Sequence, residues 1–145
     1  MKFLIYILIT LTLSMFSHKA VKGDLEGAWV LVESSWNGEF FEVVSPLPVK
    51  LYADGNFIYT YYEDGKLGVG NGEYIMDKGL VTETITNNSN LDLIGQSFSY
   101  EPNFMGDKKS FIQTIDFNGN QLFERWKKTS CNVENCYILS SKPNQ

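Results

Sequence analysis

Histidine is almost absent from this sequence. His18 is the only one among 145 residues, and it precedes the segment that we expect to fold. Imidazole is the usual base near neutral pH and the commonest metal ligand. Its absence from the rest of the chain excludes Ser-His-Asp and Cys-His catalysis, histidine-bound zinc and histidine-bound haem. Because no nucleophile elbow, phosphate loop or metal-ligand motif stands in its place, we expect no enzyme, no cofactor and no metal site.

Cysteine is also scarce, with only Cys131 and Cys136 in the chain. In an exported protein such a close pair is typical of a local disulfide, whereas a redox or metal role is the weaker alternative. Closing so short a loop stabilises a fold by roughly 2 kcal/mol at most. The pair therefore predicts a local cross-link in a short tail after the last strand.

Charge is missing from most of the first part of the chain. After a lysine at position 2, an apolar run extends from Phe3 to Phe16, interrupted only by hydroxyl side chains. The run is too short to span a bilayer and has the length of a secretory signal. Cleavage after Ala20 or Gly23 is expected, and Gly23 is favoured because a small residue stands two positions before it. We predict a signal peptide over 1–23, with a retained membrane anchor as the alternative.

Basic residues are few in the predicted mature domain, 24–145. Lys2, Lys19 and Lys22 lie in the leader, which leaves nine basic against 17 acidic residues and a net charge of −8. A chain this acidic is a poor partner for nucleic acid or for an anionic membrane surface. We expect an exported protein, periplasmic or extracellular, with no stable membrane anchor after cleavage.

Helical periodicity is missing too, and short runs rich in Val, Ile, Tyr, Phe and Thr alternate with Gly-containing turn signals. Sequential hairpins favour one up-and-down antiparallel barrel, because closure removes exposed strand edges. A sandwich is the alternative, although it usually needs longer connections. About eight strands are predicted: Ala28–Glu33, Val49–Tyr52, Asn56–Tyr62, Gly72–Met76, Leu80–Thr86, Gln96–Glu101, Ser110–Asp116 and Gln121–Lys128.

Several stretches together resemble one group of proteins. They are "LEGAWVLVE", "LYADGNFIYT", "GNGEYIMDKGLVTETI", "LIGQSFSY" and "LFERWKK", in that order along the chain. The Gly-x-Trp element "GAW" is similar to the lipocalin signature, and the set resembles the exported bacterial lipocalin-like (calycin-type) proteins of unknown function. The resemblance implies that Trp29 fills the closed end of a barrel, covered by a basic residue of the last strand. Arg125 and Lys128 are both candidates, and Arg125 is favoured as the better stacking partner.

Alternation along the strands predicts which side chains enter the barrel. The contrast is clearest in the fifth predicted strand, where Val81, Glu83 and Ile85 alternate with threonines. The resulting interior is aromatic with a few polar groups. The candidate ligand-binding residues are Phe57, Tyr59, Tyr61, Tyr74, Glu83, Phe98, Tyr100, Phe111, Gln113, Glu124 and Trp126.

These residues predict a protein that binds a small hydrophobic or amphipathic molecule inside the barrel. A barrel filled by its own side chains, serving as a non-catalytic interaction or structural module, is the alternative, and an open cavity would distinguish the two. Because Arg125 has outward parity and the inward charges are acidic, a fatty acid is a poor candidate ligand. A neutral or cationic ring compound fits better. The segment "NGEFFEVVSPLP" is expected to form either a lid or an extra strand at the barrel mouth. Protein partners are not indicated.

Overall fold

A computed structural model describes residues 22–129, which form a curled antiparallel sheet of ten strands. A one-turn helix, α1 (Lys22–Leu25), precedes the sheet, and a short 3-10 helix spans Leu91–Leu93. The strands are β1 (Gly27–Trp36), β2 (Glu39–Phe41), β3 (Val49–Ala53), β4 (Asn56–Glu63), β5 (Lys66–Asp77), β6 (Leu80–Asn88), β7 (Ser97–Tyr100), β8 (Asn103–Met105), β9 (Ser110–Phe117) and β10 (Asn120–Thr129). All eight predicted runs overlap strands, although Gln96 and Glu101 lie outside β7. β2 lies in the segment for which an extra strand was one alternative, and β8 was not predicted as a strand.

The hairpin turns follow from their sequences. Asp54-Gly55, Asp64-Gly65, Lys78-Gly79 and Asn118-Gly119 each place two consecutive residues at positive φ. Two-residue turns of this kind match the twist of the flanking strands. They connect β3 to β4, β4 to β5, β5 to β6 and β9 to β10. Neighbours in sequence are therefore neighbours in most of the sheet.

The first long strand pairs with the last, as a barrel requires. β1 lies between β3 and β10, and Trp29 faces Lys128 across the β1–β10 ladder. The prediction of a closed eight-stranded barrel is nevertheless wrong, because the path of paired strands runs from β7 to β8 without joining these two ends. β7 pairs with β6 and β8 pairs with β9, so the ladder changes partner between two consecutive short strands.

The two margins of the sheet still come together. Only Glu101 and Pro102 separate β7 from β8 in sequence. Proline lacks an N–H and cannot continue a ladder, which accounts for a break at this point. Across the gap, the rings of Phe98 and Phe117 pack with their centroids 4.6 Å apart. Side-chain packing closes the wall here instead of backbone hydrogen bonds.

Trp29 is buried inside the curled sheet, next to the end of α1 and to a basic residue of the last strand. Its side chain is fully buried, its Nε1–H donates to the Leu25 carbonyl oxygen at 2.7 Å, and its ring meets Phe111 edge to face at 4.7 Å. Lys128 Nζ lies 5.0 Å from the indole centroid. Gly27, at φ +117°, permits this approach, since a Cβ there would lie 3.1 Å from Lys128 Cε.

The choice of Arg125 as the covering cation was wrong. Arg125 is exposed and pairs with Glu33 on the outer surface. Lys128 is opposite Trp29 in the ladder and therefore shares its face of the sheet. Register, rather than the stacking preference of the guanidinium group, decides which basic residue reaches the indole.

Two predictions concern residues outside 22–129. The disulfide between Cys131 and Cys136 and most of the predicted leader, 1–23, lie outside the described residues and stay predictions. Within residues 22–129, no helix is both long enough and apolar enough to cross a membrane.

Candidate ligand-binding cavity

The interior of the sheet is open at the end away from Trp29. A cavity of about 350 Å³ occupies it, so the described residues do not fill the interior. Most of its wall is apolar or aromatic, with a small polar group at its base. The lining residues are Leu31, Ser34, Phe41, Glu42, Val43, Val44, Pro48, Lys50, Tyr59, Thr60, Tyr61, Tyr62, Glu83, Ile85, Leu93, Phe98, Gln113, Ile115, Phe117, Leu122, Glu124 and Trp126.

The eleven predicted interior residues are all buried or partly buried, but they divide into two groups. Seven line the cavity: Tyr59, Tyr61, Glu83, Phe98, Gln113, Glu124 and Trp126. The other four, Phe57, Tyr74, Tyr100 and Phe111, are buried in the core and do not line the cavity wall. Whether the seven contact a ligand stays a prediction.

Alternate glycines hold two tyrosine rings against the cavity wall. On β5, Gly68 and Gly70 lie directly opposite Tyr61 and Tyr59 of β4. A Cβ on Gly68 would lie 2.4 Å from the Tyr61 ring, and one on Gly70 would lie 2.5 Å from the Tyr59 ring. Each ring therefore lies over bare backbone, a known use of glycine within strands.

Asn88 joins the two tyrosines at their hydroxyl ends. Tyr61 donates to Asn88 Oδ1 at 2.6 Å, and Asn88 Nδ2 donates to the Tyr59 hydroxyl at 2.7 Å. Asn88 is buried at the end of β6, where its side chain is fully engaged by this pair and by the backbone N–H of Asn90. Each ring is thus held by a glycine against its face and by Asn88 at its hydroxyl group. The sequence analysis did not identify Asn88.

A buried ion pair forms the base of the cavity. Lys50 Nζ lies 3.2 Å from both Glu83 carboxylate oxygens and donates to Gln113 Oε1 at 3.4 Å. Lys50 and Glu83 are each only 4% exposed. The ammonium group also lies 5.3 Å from the Trp126 ring centroid. Burying two charges is tolerated only with good geometry and further hydrogen bonds, and this pair has both.

Two tyrosines complete the hydrogen bonding of Glu83. Tyr52 and Tyr100 both donate to Glu83 Oε1, Tyr100 at 2.9 Å, and their hydroxyl oxygens lie 2.7 Å apart. Burial, together with the Glu83 charge, raises the pKa of both phenols well above the ordinary value. Both therefore stay protonated as donors. Lys50, Glu83, Gln113, Tyr52 and Tyr100 are called the polar floor below.

Sequence reasoning found Glu83, Gln113 and Tyr100 but missed Lys50 and Tyr52. The strand β3 has an inverted pattern, since Val49 and Leu51 are each 43% exposed while Lys50 is buried. Tyr52 has the same parity as Lys50 and is the sequence signal for the inward face of β3. The partners of Glu83 are Lys50 and the two tyrosines of the polar floor.

Glu124 lies beside the polar floor and is bonded differently. Its Oε2 accepts from Gln113 Nε2 at 2.6 Å and from Trp126 Nε1 at 3.1 Å. Within residues 22–129, Oε1 has no hydrogen-bond partner, and no side-chain oxygen or nitrogen is both sealed from solvent and unpaired. Burial, reinforced by the negative charge of Glu83, raises the pKa of Glu124, although Lys50 and the two hydrogen bonds oppose this.

The segment after β1 borders the mouth of the cavity. Its first part forms the extra strand β2, which pairs with the end of β1. Phe41, Val43 and Val44 then line the cavity, and Phe41 remains 50% exposed. The extra strand is therefore the alternative that the structure shows, and a lid over the cavity stays a prediction. No group of three or more metal-ligating side chains occurs in the described part of the chain.

Comparison with solved structures shows that the fold is lipocalin-like. No protein-family model matches the chain, and no curated protein matches it in sequence. A lipocalin-like protein from Bacteroides uniformis superposes with a TM-score of 0.53 at 18% identity, covering 74% of this chain and all of that one. Identity this low establishes similarity of fold alone.

Two further structures superpose less well. An uncharacterized protein from Bacteroides eggerthii has a TM-score of 0.49 at 16% identity, covering 73% of this chain and all of that one. A protein described as the REP1-NXSQ fatty acid transporter has a TM-score of 0.43 at 12% identity, covering 76% of this chain and 99% of that one.

Proposed function

We propose that this protein binds a small, largely apolar or aromatic molecule in the cavity above the polar floor, and that it does so without catalysis. The observation that carries the proposal is an unfilled interior of about 350 Å³ lined mainly by apolar side chains. Ligand sites in proteins are concave, mostly apolar and of this size class. The lipocalin-like fold supports the proposal by analogy only.

The arrangement of polar groups argues for binding rather than reaction. Lys50 and Glu83 neutralise each other, and the phenols of Tyr52 and Tyr100 are held protonated by burial and by Glu83, with raised pKa values. None of these groups is an activated nucleophile. They give the base of the cavity a fixed polarity that orients a ligand.

A fluorescent probe tests the proposal directly. N-phenyl-1-naphthylamine is uncharged at neutral pH and becomes brighter in apolar surroundings. We expect saturable binding with a stoichiometry of about one, as for a single enclosed site. Ser34, buried on β1 and lining the cavity, provides the variant Ser34→Phe, which fills the space and abolishes the signal.

Thr114→Phe is the matched control. Thr114 is exposed on β9, so the same kind of enlargement there leaves the cavity unchanged and probe binding intact. Equal loss of binding in both variants, or no saturable binding by the wild-type protein, contradicts the proposal.

We also propose that the protein is exported to the periplasm or the cell exterior after removal of its leader. The support is the apolar run of the sequence and its small residues before Asp24. Expression of the complete chain, followed by fractionation and intact mass measurement, tests it. A mature mass beginning at Val21 or Asp24 in the exported fraction is expected. An uncleaved chain in the cytoplasmic fraction contradicts the proposal.

A further inference from the structure

Glu124, which lines the cavity, has one carboxylate oxygen without a hydrogen-bond partner among the described residues. Both hydrogen bonds to the Glu124 side chain end on Oε2, one from Gln113 and one from Trp126. Oε1 has none, and because no sealed polar atom is left unpaired, this oxygen is reached from the cavity. The donors on Oε2 fix the carboxylate so that its free oxygen keeps a constant position.

The charged groups next to Glu124 are already paired with each other. Lys50 is bound to both oxygens of Glu83 at 3.2 Å, so this pair is neutral as a unit. Gln113 stands between the pair and Glu124, accepting from Lys50 at 3.4 Å and donating to Glu124 at 2.6 Å. When Glu124 is ionised, its negative charge is therefore unbalanced next to the polar floor, whereas the other carboxylate of the lining outside the ion pair, Glu42, is exposed.

The aromatic side chains of the cavity wall also favour a ligand that has a positive charge and a planar ring. Tyr59, Phe98 and Trp126 all line the same cavity as Glu124. Aromatic faces attract a cation at close range and stack on planar rings. A ligand with a carboxylate group is disfavoured, because Lys50 is already paired with Glu83 and the charge of Glu124 repels a second carboxylate.

We propose that Glu124 Oε1 is the acceptor for the ammonium group of a small ring-containing amine, whose ring lies among Tyr59, Phe98 and Trp126. This inference rests on the proposed ligand-binding function and narrows it to a chemical class. The bound ammonium completes the hydrogen bonding of Glu124 and balances its charge in surroundings where a charge-assisted hydrogen bond is strong.

Three indole compounds of similar size but different charge test the inference. Tryptamine carries an ammonium group at neutral pH, tryptophol carries a hydroxyl and indole-3-propionic acid carries a carboxylate. Calorimetric titration of the wild-type protein is expected to give an affinity for tryptamine at least about tenfold above that for tryptophol. The acid is expected to bind weakest of the three.

Glu124→Gln is the decisive variant. The glutamine oxygen accepts the same two hydrogen bonds from Gln113 and Trp126, so the charge is removed while the local bonding is kept. The preference for tryptamine is expected to fall to within about twofold, with tryptophol affinity nearly unchanged. Glu33→Gln is the control, since Glu33 pairs with Arg125 on the outer surface and its loss leaves the preference intact.

The outcomes separate this inference from the broader function. If the naphthylamine probe binds but the wild-type protein does not prefer tryptamine over tryptophol, this inference is overturned and the binding function stands. A preference that persists in Glu124→Gln overturns it as well. Tighter binding of tryptophol than of tryptamine would indicate a neutral ligand that accepts a hydrogen bond from protonated Glu124. That result also overturns this inference. If neither the probe nor the indoles bind, both proposals fail.

Discussion

Tyr59 lies flat over Gly70, its direct partner across the β4–β5 ladder. A Cβ on Gly70 would lie 2.5 Å from Cε1 of that ring and 2.4 Å from Asn88 Nδ2. The absence of a side chain at one position thus sets the place of an aromatic ring at another. Because Tyr59 lines the cavity, Gly70 contributes to the shape of the cavity although it is not itself a lining residue.

Gly70→Ala is expected to destabilise the fold and disturb the cavity. Overpacking of this kind typically lowers the free energy of unfolding by about 1–3 kcal/mol. Urea denaturation measures the loss, and a double-mutant cycle supplies the control. In a Tyr59→Ala background, where the ring is gone, the alanine should be tolerated better. An equal loss in both backgrounds means that the Gly70–Tyr59 contact is not the cause.

Lys50→Met is expected to be among the most damaging single changes in the described chain. It leaves Glu83 as a buried carboxylate without its cation, for which losses of about 3–5 kcal/mol are typical. The double variant Lys50→Met/Glu83→Gln should recover a large part of the unfolding free energy, since no unpaired charge remains. Chemical denaturation at neutral pH compares the three proteins.

Lys108→Met is the matched control for that experiment. Lys108 pairs with Asp24 at 2.8 Å, but its own side chain is about half exposed. Loss of an exposed pair usually changes stability by less than about 1 kcal/mol. Similar losses for Lys50→Met and Lys108→Met would contradict the assignment of Lys50 and Glu83 as a buried, desolvated pair.

Glu124 is expected to make stability depend on pH in the direction opposite to that of most carboxylates. Its folded-state pKa is raised by burial, so the folded protein holds this proton where the unfolded chain has lost it. The contribution of Glu124 is therefore fully present below the ordinary pKa of 4.5 and is lost as pH rises through the raised value.

The comparison with Glu124→Gln isolates this effect. The wild-type protein should be favoured relative to the variant in acid and lose that advantage toward neutral pH. Unfolding free energies of both proteins at several values between about pH 4 and pH 8 provide the measurement. Lys50 and Glu83, the charged groups that face Glu124, are present in both proteins. A difference that does not change with pH would show that the Glu124 pKa is not raised.

Lys128→Met should cost more stability than Arg125→Met. Methionine keeps the length of the aliphatic chain but removes the cation from above the Trp29 ring, an interaction worth about 0.5–2 kcal/mol. Arg125 loses only a surface pair with Glu33, worth about 0–1 kcal/mol. Thermal unfolding followed by tryptophan fluorescence ranks the two variants. The reverse order would indicate that the indole gains nothing from Lys128.

Much of the sheet could be predicted from local sequence. The turns at Asp54-Gly55 and Asn118-Gly119 mark the hairpins, and the threonines of β6 identify its outer face, since Thr82 and Thr84 pair with Ser99 and Ser97 there. β8 was missed because a strand of three residues is too short to show an alternating pattern. The change of strand partner at Pro102 could not be predicted either, because it depends on how β6 and β9, which are distant in sequence, are placed relative to each other.

The site was only partly predictable for a related reason. Parity correctly placed Glu83 and Gln113 inside, but the pairing of Lys50 with Glu83 requires the relative position of β3 and β6, which are not neighbours in the sheet. The basic residue over Trp29 could have been predicted from the alternation along β10. Lys128 has the same parity as Trp126, which was predicted to face inward, whereas Arg125 has the opposite parity. Strand geometry, and not the stacking preference of arginine, decides which basic residue covers the indole.

Pairing of β1 with β10 also constrains how the chain can reach its native state. Trp29 finds Lys128 only after nearly the whole described sequence has been synthesised. Until then β1 lacks one neighbour, and its free edge can recruit another chain. Contacts between such distant residues slow folding, because the chain must first close a long loop. The nascent polypeptide consequently remains incomplete as a fold until β10 has been synthesised, which is compatible with the export that we propose.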